Sequence, residues 1–433
     1  MPKGDGSIVE VKDKNGKSYT PKKWRVCVSF GNDPITGERL KAQRIVNGTK
    51  LDARALRDQL KRDHESGLRL DADKETFADF SAVWLEARRV SGEVGLSRLD
   101  KEKRMLDLLC SYIADMAIPD ITPQVIEKLY AAIKADKVAK RGAYSGTTLK
   151  MIHQLLKQIL GKALDYGYIL RNPCDRVKAP KADEPERRSL TAEQGAVLLS
   201  KLNSAETEAY EAMQAKEQRQ LERGNLFDRT YLRGLNLVSN IVAVRIGLAT
   251  GMRRGEVFGL SWGCVNLESG VIRVEQSLTE YGELKPPKSK AGIRSIHIDR
   301  ETVRHLSTWK SRQAAELRKL YVKQDAASPV CCSEVGGRID LHNFERWWRR
   351  FRKELGFEGL KFHELRHTQA TQLLANGVDV KTVQTRMGHA NAAITLNWYA
   401  HAIPENDEKA AQLVGKLFET EPKTARIIEL KTA

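Results

Sequence analysis

A segment rich in proline and charge, residues 178–188, most limits the folds that this sequence can adopt. Such a composition cannot build a packed core and is typical of a linker between domains. The 433-residue chain is long enough for two or three domains. Its hydrophobic periodicity is strand-like at the start, helical up to the linker and mixed after it. We therefore predict a multidomain α+β protein in which each region has its own core.

Residues 1–66 are predicted to form a small three-stranded β-sheet plus one helix. Short β-rich runs at 8–11, 24–30 and 40–46 are separated by turn sequences that contain Asn-Gly and Pro-Ile-Thr-Gly. Thr49 can cap the helix that follows. Sixteen Lys and Arg residues against nine Asp and Glu in residues 1–70 make this module basic.

Residues 75–177 are predicted to form an all-α domain of four helices. Apolar residues recur at helical spacing in four stretches, which include Phe77, Leu99, Val125 and Leu149. The fourth helix is expected to end near Gly167. A four-helix bundle is a common structure, so this pattern alone indicates no function.

Residues 187–418 are predicted to form a mostly α domain with a small β-sheet, and residues 419–433 a C-terminal tail. Within the domain, the polar stretch 204–233 predicts a helical insertion with a solvated surface. A last helix has an apolar face over 410–418, and it can pack on its own chain or on a neighbouring copy.

The net charge of +17 favours a polyanionic partner. No stretch approaches the roughly 20 apolar residues that a membrane helix needs, and the first residues lack the apolar region of a signal peptide. We therefore expect a cytoplasmic protein with no membrane partner.

Four short motifs after the linker carry residue types suited to phosphoryl transfer on DNA. They are Thr-Gly-Met-Arg-Arg-Gly-Glu at 250–256, His-Glu-Leu-Arg-His at 363–367, Met-Gly-His at 387–389 and Asn-Trp-Tyr-Ala-His at 397–401. Arginine forks hold phosphate oxygens, and histidine moves protons. A phenol can attack phosphorus when neighbouring cations help to remove its proton, since its ordinary pKa is about 10.

The order and spacing of these motifs resemble the active site of the tyrosine recombinases, the phage-integrase family. The resemblance implies that Arg253 and Arg366 hold the phosphate and that His363 assists proton transfer. It also implies that His389 donates a hydrogen bond to the phosphate and that Tyr399 is the nucleophile, which forms a 3′-phosphotyrosine and frees a 5′-hydroxyl.

Three neighbouring residues have secondary expected roles. Glu256 lies three residues after Arg253, on the same helical face, and is placed to orient it. Arg254 is expected at the surface or on the DNA backbone, and His367 is expected to be mostly structural.

Family members also use a lysine in a β-hairpin between the two arginine motifs to protonate the leaving 5′-oxygen. The stretch 289–294 resembles the tip of that hairpin, which selects Lys290. Lys288 is the second choice and Lys285 the third. The alternative is a basic turn that only contacts phosphate.

The resemblance extends to the domain order. It implies an arm-type DNA-binding module at 1–66, a core-binding domain at 75–177 and a catalytic domain at 187–418. The implied partners are double-stranded DNA with core and arm-type attachment sites, three further copies of the chain in a tetramer on DNA, and a directionality factor or host DNA-bending protein. The implied location is the nucleoid of a bacterial host. No cofactor and no metal are expected, because the phosphoester bond energy is kept in the enzyme–DNA link.

Four other functions compete with this interpretation. Residues 363–367 also match the HExxH signature of zinc proteases, with Glu364 as the base, although no third ligand stands at the usual spacing. A type IB topoisomerase or a recombinase that resolves chromosome dimers would share the chemistry, but the N-terminal basic module disfavours both. A non-catalytic DNA-binding protein would not need all four motifs.

Overall fold

The computed structural model describes residues 6–32, 37, 39–69, 74–135, 144–183, 188–224, 234–287, 289–391, 396 and 404–418, without the side chains of 404–410. Two compact units divide the chain at the predicted linker, Met1–Pro185 and Glu186–Ala433. Helices and small sheets alternate along the sequence, which confirms the α+β prediction. No helix in these ranges has the length and apolar character needed to cross a membrane.

The first unit begins with an antiparallel sheet covered on one face by a helix. Strands β1 (Ser7–Lys12), β2 (Ser18–Asn32) and β3 (Arg39–Asn47) pair in that order, and α1 (Lys50–Glu65) follows. Thr49 caps α1 in a reciprocal capping box with Asp52. The buried face is a small apolar cluster centred on Val26, Val28 and Ala53. Alternation along β2 leaves the opposite face to solvent.

Four helices complete the first unit, as the apolar spacing predicts. They are α2 (Phe77–Ser91), α3 (Leu96–Ile113), α4 (Pro123–Ala135) and α5 (Gly146–Asp165), and they enclose a core of their own. The division of this unit into an arm-type module and a core-binding domain stays a prediction.

The second unit is built around one helix that is buried on nearly every side. Helix α7 (Leu235–Thr250) is apolar almost throughout, and it packs against α6 (Ala192–Glu222), α9 (Arg300–Arg318) and α11 (Phe362–Ala375). The expected insertion is helical as far as residue 222, within α6, and residues 225–233 lie outside the described ranges. The remaining helices are α8 (Arg254–Gly259), α10 (Leu341–Glu354), α12 (Val380–Met387) and α13 (Pro404–Phe418).

The second unit also contains two small sheets beside α8. Strands β4 (Val265–Asn266), β5 (Val271–Val274) and β8 (Arg294–His297) form one antiparallel sheet, and β6 (Ser277–Leu278) pairs with β7 (Leu284–Lys285). Strands β5 and β8 are therefore the two sides of a long hairpin, whose connection carries the three candidate lysines.

Candidate active site

The first arginine motif lies at the sharp turn after α7. Gly251 has a positive φ of 66°, and a Cβ added there would lie 2.5 Å from Oε1 of Gln369, so only glycine fits. Thr250 accepts a hydrogen bond from the backbone N–H of Met252 through its hydroxyl. The turn places Arg253 at the start of α8, with 42% of its side chain exposed.

Glu256 holds Arg253 at two points. One carboxylate oxygen accepts a hydrogen bond from Nη1 of Arg253 at 2.8 Å, and the other accepts from its backbone N–H at 2.9 Å. The second guanidinium nitrogen, Nη2, donates to the carbonyl oxygen of Gly388 at 3.4 Å. These contacts direct the fork of Arg253 toward the segment that carries His389.

Helix α11 supplies the second histidine–arginine pair. His363 is exposed, whereas Arg366 is only 2% exposed. Arg366 donates from Nη1 to the carbonyl oxygen of Gly251 at 2.9 Å and from Nη2 to that of Met387. Arg366 therefore connects the two backbone segments that lead into Arg253 and His389.

His389 follows α12 through a second glycine with a left-handed conformation. Gly388 has a φ of 64° and ends the helix, so that the chain reverses before the histidine. The backbone N–H of His389 donates to the carbonyl oxygen of Gln384, and Nε2 of Gln384 donates to the carbonyl oxygen of His389. The imidazole is thus held on a fixed backbone beside the two arginines.

The two histidines share one electrostatic environment. Desolvation, followed by the positive charges of Arg366 and Arg253, lowers the pKa of His363 to about 4, even though the residue as a whole is exposed. Desolvation and the same two arginines, with Arg294, lower the pKa of His389 to about 4. Both rings are therefore neutral at pH 7, and a bound phosphate anion would raise both pKa values.

The candidate lysines lie in the connection between β5 and β8, with Lys285 at the end of β7. Lys290 is exposed on a short 3-10 turn, Lys290–Gly292. This turn approaches the histidine segment, because a Cβ added to Gly388 would lie 2.9 Å from the carbonyl oxygen of Ala291. Lys285 is exposed and paired with Glu283 at 2.7 Å. Lys288 lies outside the described residues.

Other predicted residues have different surroundings. Tyr399 and the rest of its motif, 397–401, lie outside the described residues. Arg254 is paired with Glu345 at 2.9 Å and with Glu280 at 3.2 Å, so carboxylates hold both ends of its fork. His367 is buried, with its ring edge-on to His363 at a centroid distance of 4.7 Å.

The carboxylate that the zinc-protease signature would use as a base has a helix-capping contact. Glu364 is buried, and its Oε2 accepts a hydrogen bond from the backbone N–H of Lys361 at 2.7 Å. Among the residues that the structure describes, no group of three or more His, Cys, Asp or Glu side chains is arranged to hold a metal ion.

Sequence reasoning assigned no role to Arg294, which the structure places within the site. Its guanidinium is buried and forms an ion pair with Glu256 at 2.8 Å. The signal was available, since Arg294 and Ile296 alternate with exposed residues along β8, and an arginine at an inward strand position requires a buried partner.

Comparisons with known proteins agree with this geometry. The model of the phage integrase family matches residues 218–406. A XerC-like tyrosine recombinase of Caldanaerobacter subterraneus is 26% identical, over 94% of this chain and 98% of the relative. The ICEBs1 integrase of Bacillus subtilis is 23% identical, over 91% of this chain and 97% of the relative.

A solved structure shares the fold. The Tn1549 transposon integrase in complex with a circular intermediate DNA superposes with a TM-score of 0.58 at 21% identity, and the match covers 78% of this chain and 99% of that one. The family match spans residues 218–406, which carry all four motifs, so this part of the chain belongs to the phage integrase family, whose tyrosine recombinases cut and rejoin DNA through a phosphotyrosine intermediate.

Proposed function

We propose that this chain is the integrase of a phage or other mobile element and that it cleaves its attachment core through Tyr399. The supporting observation is the convergence of Arg253, Arg366, His363 and His389 around the backbone of residues 387–389. Cations and neutral imidazoles are groups suited to stabilise one anionic phosphate. The relatives named above include an integrase and a transposon integrase.

The proposed cleavage is a transesterification at phosphorus. The phenolic oxygen of Tyr399 forms a bond to the phosphorus, and the bond from phosphorus to the 5′-oxygen breaks. His363, neutral before the reaction, receives the proton of the phenol, and Lys290 gives a proton to the leaving oxygen. Arg253 and Arg366 stabilise the charge on the non-bridging oxygens, with a hydrogen bond from His389. Rejoining reverses these steps with the 5′-hydroxyl of the partner strand.

The remaining parts of the proposal concern DNA recognition and assembly. The sheet module at 1–66 would bind arm-type sites and the helical bundle at 75–177 would bind the core. The exposed Arg25 and Lys41 on the uncovered face of the sheet support DNA binding by the module. Four protomers would assemble on DNA in the bacterial cytoplasm, with a directionality factor or DNA-bending protein as a further partner.

A covalent-trapping experiment tests the proposed nucleophile. Nicked duplexes from a library of candidate attachment sites are incubated with the full chain, and DNA that becomes covalently attached is recovered and sequenced. The wild-type chain should yield adducts on one core sequence, and Tyr399→Phe should yield none while it still binds that sequence, because only the attacking oxygen is lost.

Two outcomes would contradict the proposal. Adducts at the wild-type level in Tyr399→Phe would assign the nucleophile to another residue. Loss of wild-type cleavage in a chelator, with recovery on addition of zinc, would favour the competing metal-dependent function.

A further inference from the structure

The side chain of Arg294 forms four hydrogen bonds to groups around the candidate site. Its Nε donates to the carbonyl oxygen of Arg386 at 2.7 Å, and its Nη1 donates to that of Gly292 at 3.0 Å. Nη1 and Nη2 also donate to the two carboxylate oxygens of Glu256, at 3.2 and 2.8 Å. Only 3% of the Arg294 side chain is exposed, and these four hydrogen bonds bind it to protein groups.

Glu256 is shared between two arginines. Burial alone would raise the pKa of Glu256, but the hydrogen bonds and charge of Arg294, and then those of Arg253, hold this pKa below its ordinary value. The carboxylate is therefore ionised at neutral pH. Two guanidinium ions and one carboxylate leave one net positive charge in this cluster.

The same arginine also borders the histidine segment. A Cβ added to Gly388 would lie 3.0 Å from Nη1 of Arg294, so the guanidinium packs directly against this glycine. The carbonyl oxygen of Gly388 accepts the hydrogen bond from Nη2 of Arg253. Arg294 thus contacts the hairpin, the Glu256 carboxylate and the glycine before His389.

We propose that Arg294 is a positioning residue that neutralises Glu256, so that Arg253 keeps its positive charge for the scissile phosphate. This inference rests on the function proposed above. Without Arg294, Glu256 and Arg253 would form a one-to-one ion pair with no net charge.

The test compares two substrates that differ only in charge at the scissile phosphate. One is the nicked duplex with the core sequence recovered from wild-type adducts, and the other has a methylphosphonate at the scissile position, which carries no negative charge. Rates of covalent adduct formation are measured in single turnover for the wild type and for Arg294→Gln. On the natural phosphodiester, Arg294→Gln should be slower by about 10- to 100-fold, less than the roughly 10²–10³-fold cost of losing a donor in direct contact with a developing anion, because Arg294 acts through Glu256 and Arg253.

On the methylphosphonate, the difference between wild type and Arg294→Gln should shrink toward none, because there is no phosphate charge to balance. Arg294→Lys keeps the charge but loses the two-point contact with Glu256. Its rate of adduct formation on the phosphodiester should therefore lie between those of the wild type and Arg294→Gln. The ratio of the two rates within one preparation is independent of how much of the variant is folded, so instability of Arg294→Gln does not obscure the result.

The matched control is Arg273→Gln, an exposed arginine on the neighbouring strand β5, opposite Ser295 of β8. It should react like the wild type on both substrates. An equal defect of Arg294→Gln on both substrates would overturn the charge role and leave a structural one. No defect on either would overturn the inference altogether. Failure of the wild type itself to form adducts would instead overturn the proposed function.

Discussion

The two three-stranded sheets in the described part of the chain are both antiparallel, but they differ in what their faces contact. The sheet β1–β2–β3 has strands of 6, 15 and 9 residues, and its uncovered face carries the exposed row Val9, Arg25 and Ile45. The sheet β4–β5–β8 has strands of 2, 4 and 4 residues, and its inward residue Arg294 is bound to the site. The first sheet leaves one face exposed to solvent, whereas an inward residue of the second, Arg294, holds the hairpin against the proposed catalytic motifs.

The largest expected effect concerns the hairpin of the second sheet. If Lys290 protonates the leaving oxygen, Lys290→Ala should slow cleavage by about 10²–10⁴-fold, the usual contribution of a general acid. A 5′-bridging phosphorothiolate should restore the rate, because its sulfur leaves without a proton. The measurement is the rate of adduct formation on both substrates, with Lys285→Ala as the control.

Two results would change this assignment. Equal defects of Lys290→Ala on both substrates would reduce Lys290 to a phosphate contact. If the 5′-bridging phosphorothiolate restored the rate of Lys288→Ala but not that of Lys290→Ala, the general-acid role would belong to Lys288.

A smaller effect is expected from the face of the first sheet. Arg25→Gln should weaken binding of arm-type DNA by about tenfold or more, as for one lost arginine–base contact, and should leave adduct formation on core DNA unchanged. Arg54→Gln, an equal loss of charge on the exposed side of α1, is the control and should have little effect. Anisotropy titrations at several salt concentrations measure both.

Equal losses of affinity for arm-type DNA in Arg25→Gln and Arg54→Gln, with the same salt dependence, would contradict a specific role for the exposed face of the first sheet. Binding would then follow net charge rather than the sheet face.

A third expected effect is a pH dependence that only core DNA should show. A phosphate beside His363 and His389 should raise pKa values that are about 4 in the free protein, so DNA binding takes up protons. Affinity for core DNA should therefore rise as pH falls from 8 toward 5, by at most about tenfold per pH unit for each proton. Binding of arm-type DNA should not show this slope.

The measurement uses Tyr399→Phe, so that binding is not followed by cleavage, at constant ionic strength. Adding His363→Gln and His389→Gln should flatten the curve for core DNA. A slope that survives in this triple variant would mean that other groups take up the protons.

The sequence was sufficient to predict features that depend on local pattern. Alternation located the strands around Val26, the spacing of apolar residues located α2 to α5, and Thr49 marked the start of α1. The motif residues Arg253 and His363 were identified by order and spacing, and their roles stay proposals.

Features that depend on contacts distant in the chain could not be predicted. Arg366 is bound to carbonyl oxygens 115 and 21 residues away, and Arg294 reaches Glu256 across 38 residues. Periodicity indicates which side of a strand faces inward, but it does not identify the residues that the inward side chains contact. The same limit applies to Arg254, whose partners Glu280 and Glu345 lie on separate elements.

Gly247, in α7, is a position where the packing of two helices leaves little room for a larger side chain. A side chain there would place its Cβ 2.6 Å from Cζ of Phe362, the residue just before His363. Any larger residue would separate α7 from α11, and the histidine would move with its helix. In a mutational scan for recombination, position 247 should therefore tolerate as little change as the proposed catalytic positions, although it lies in an apolar helix and belongs to none of the motifs.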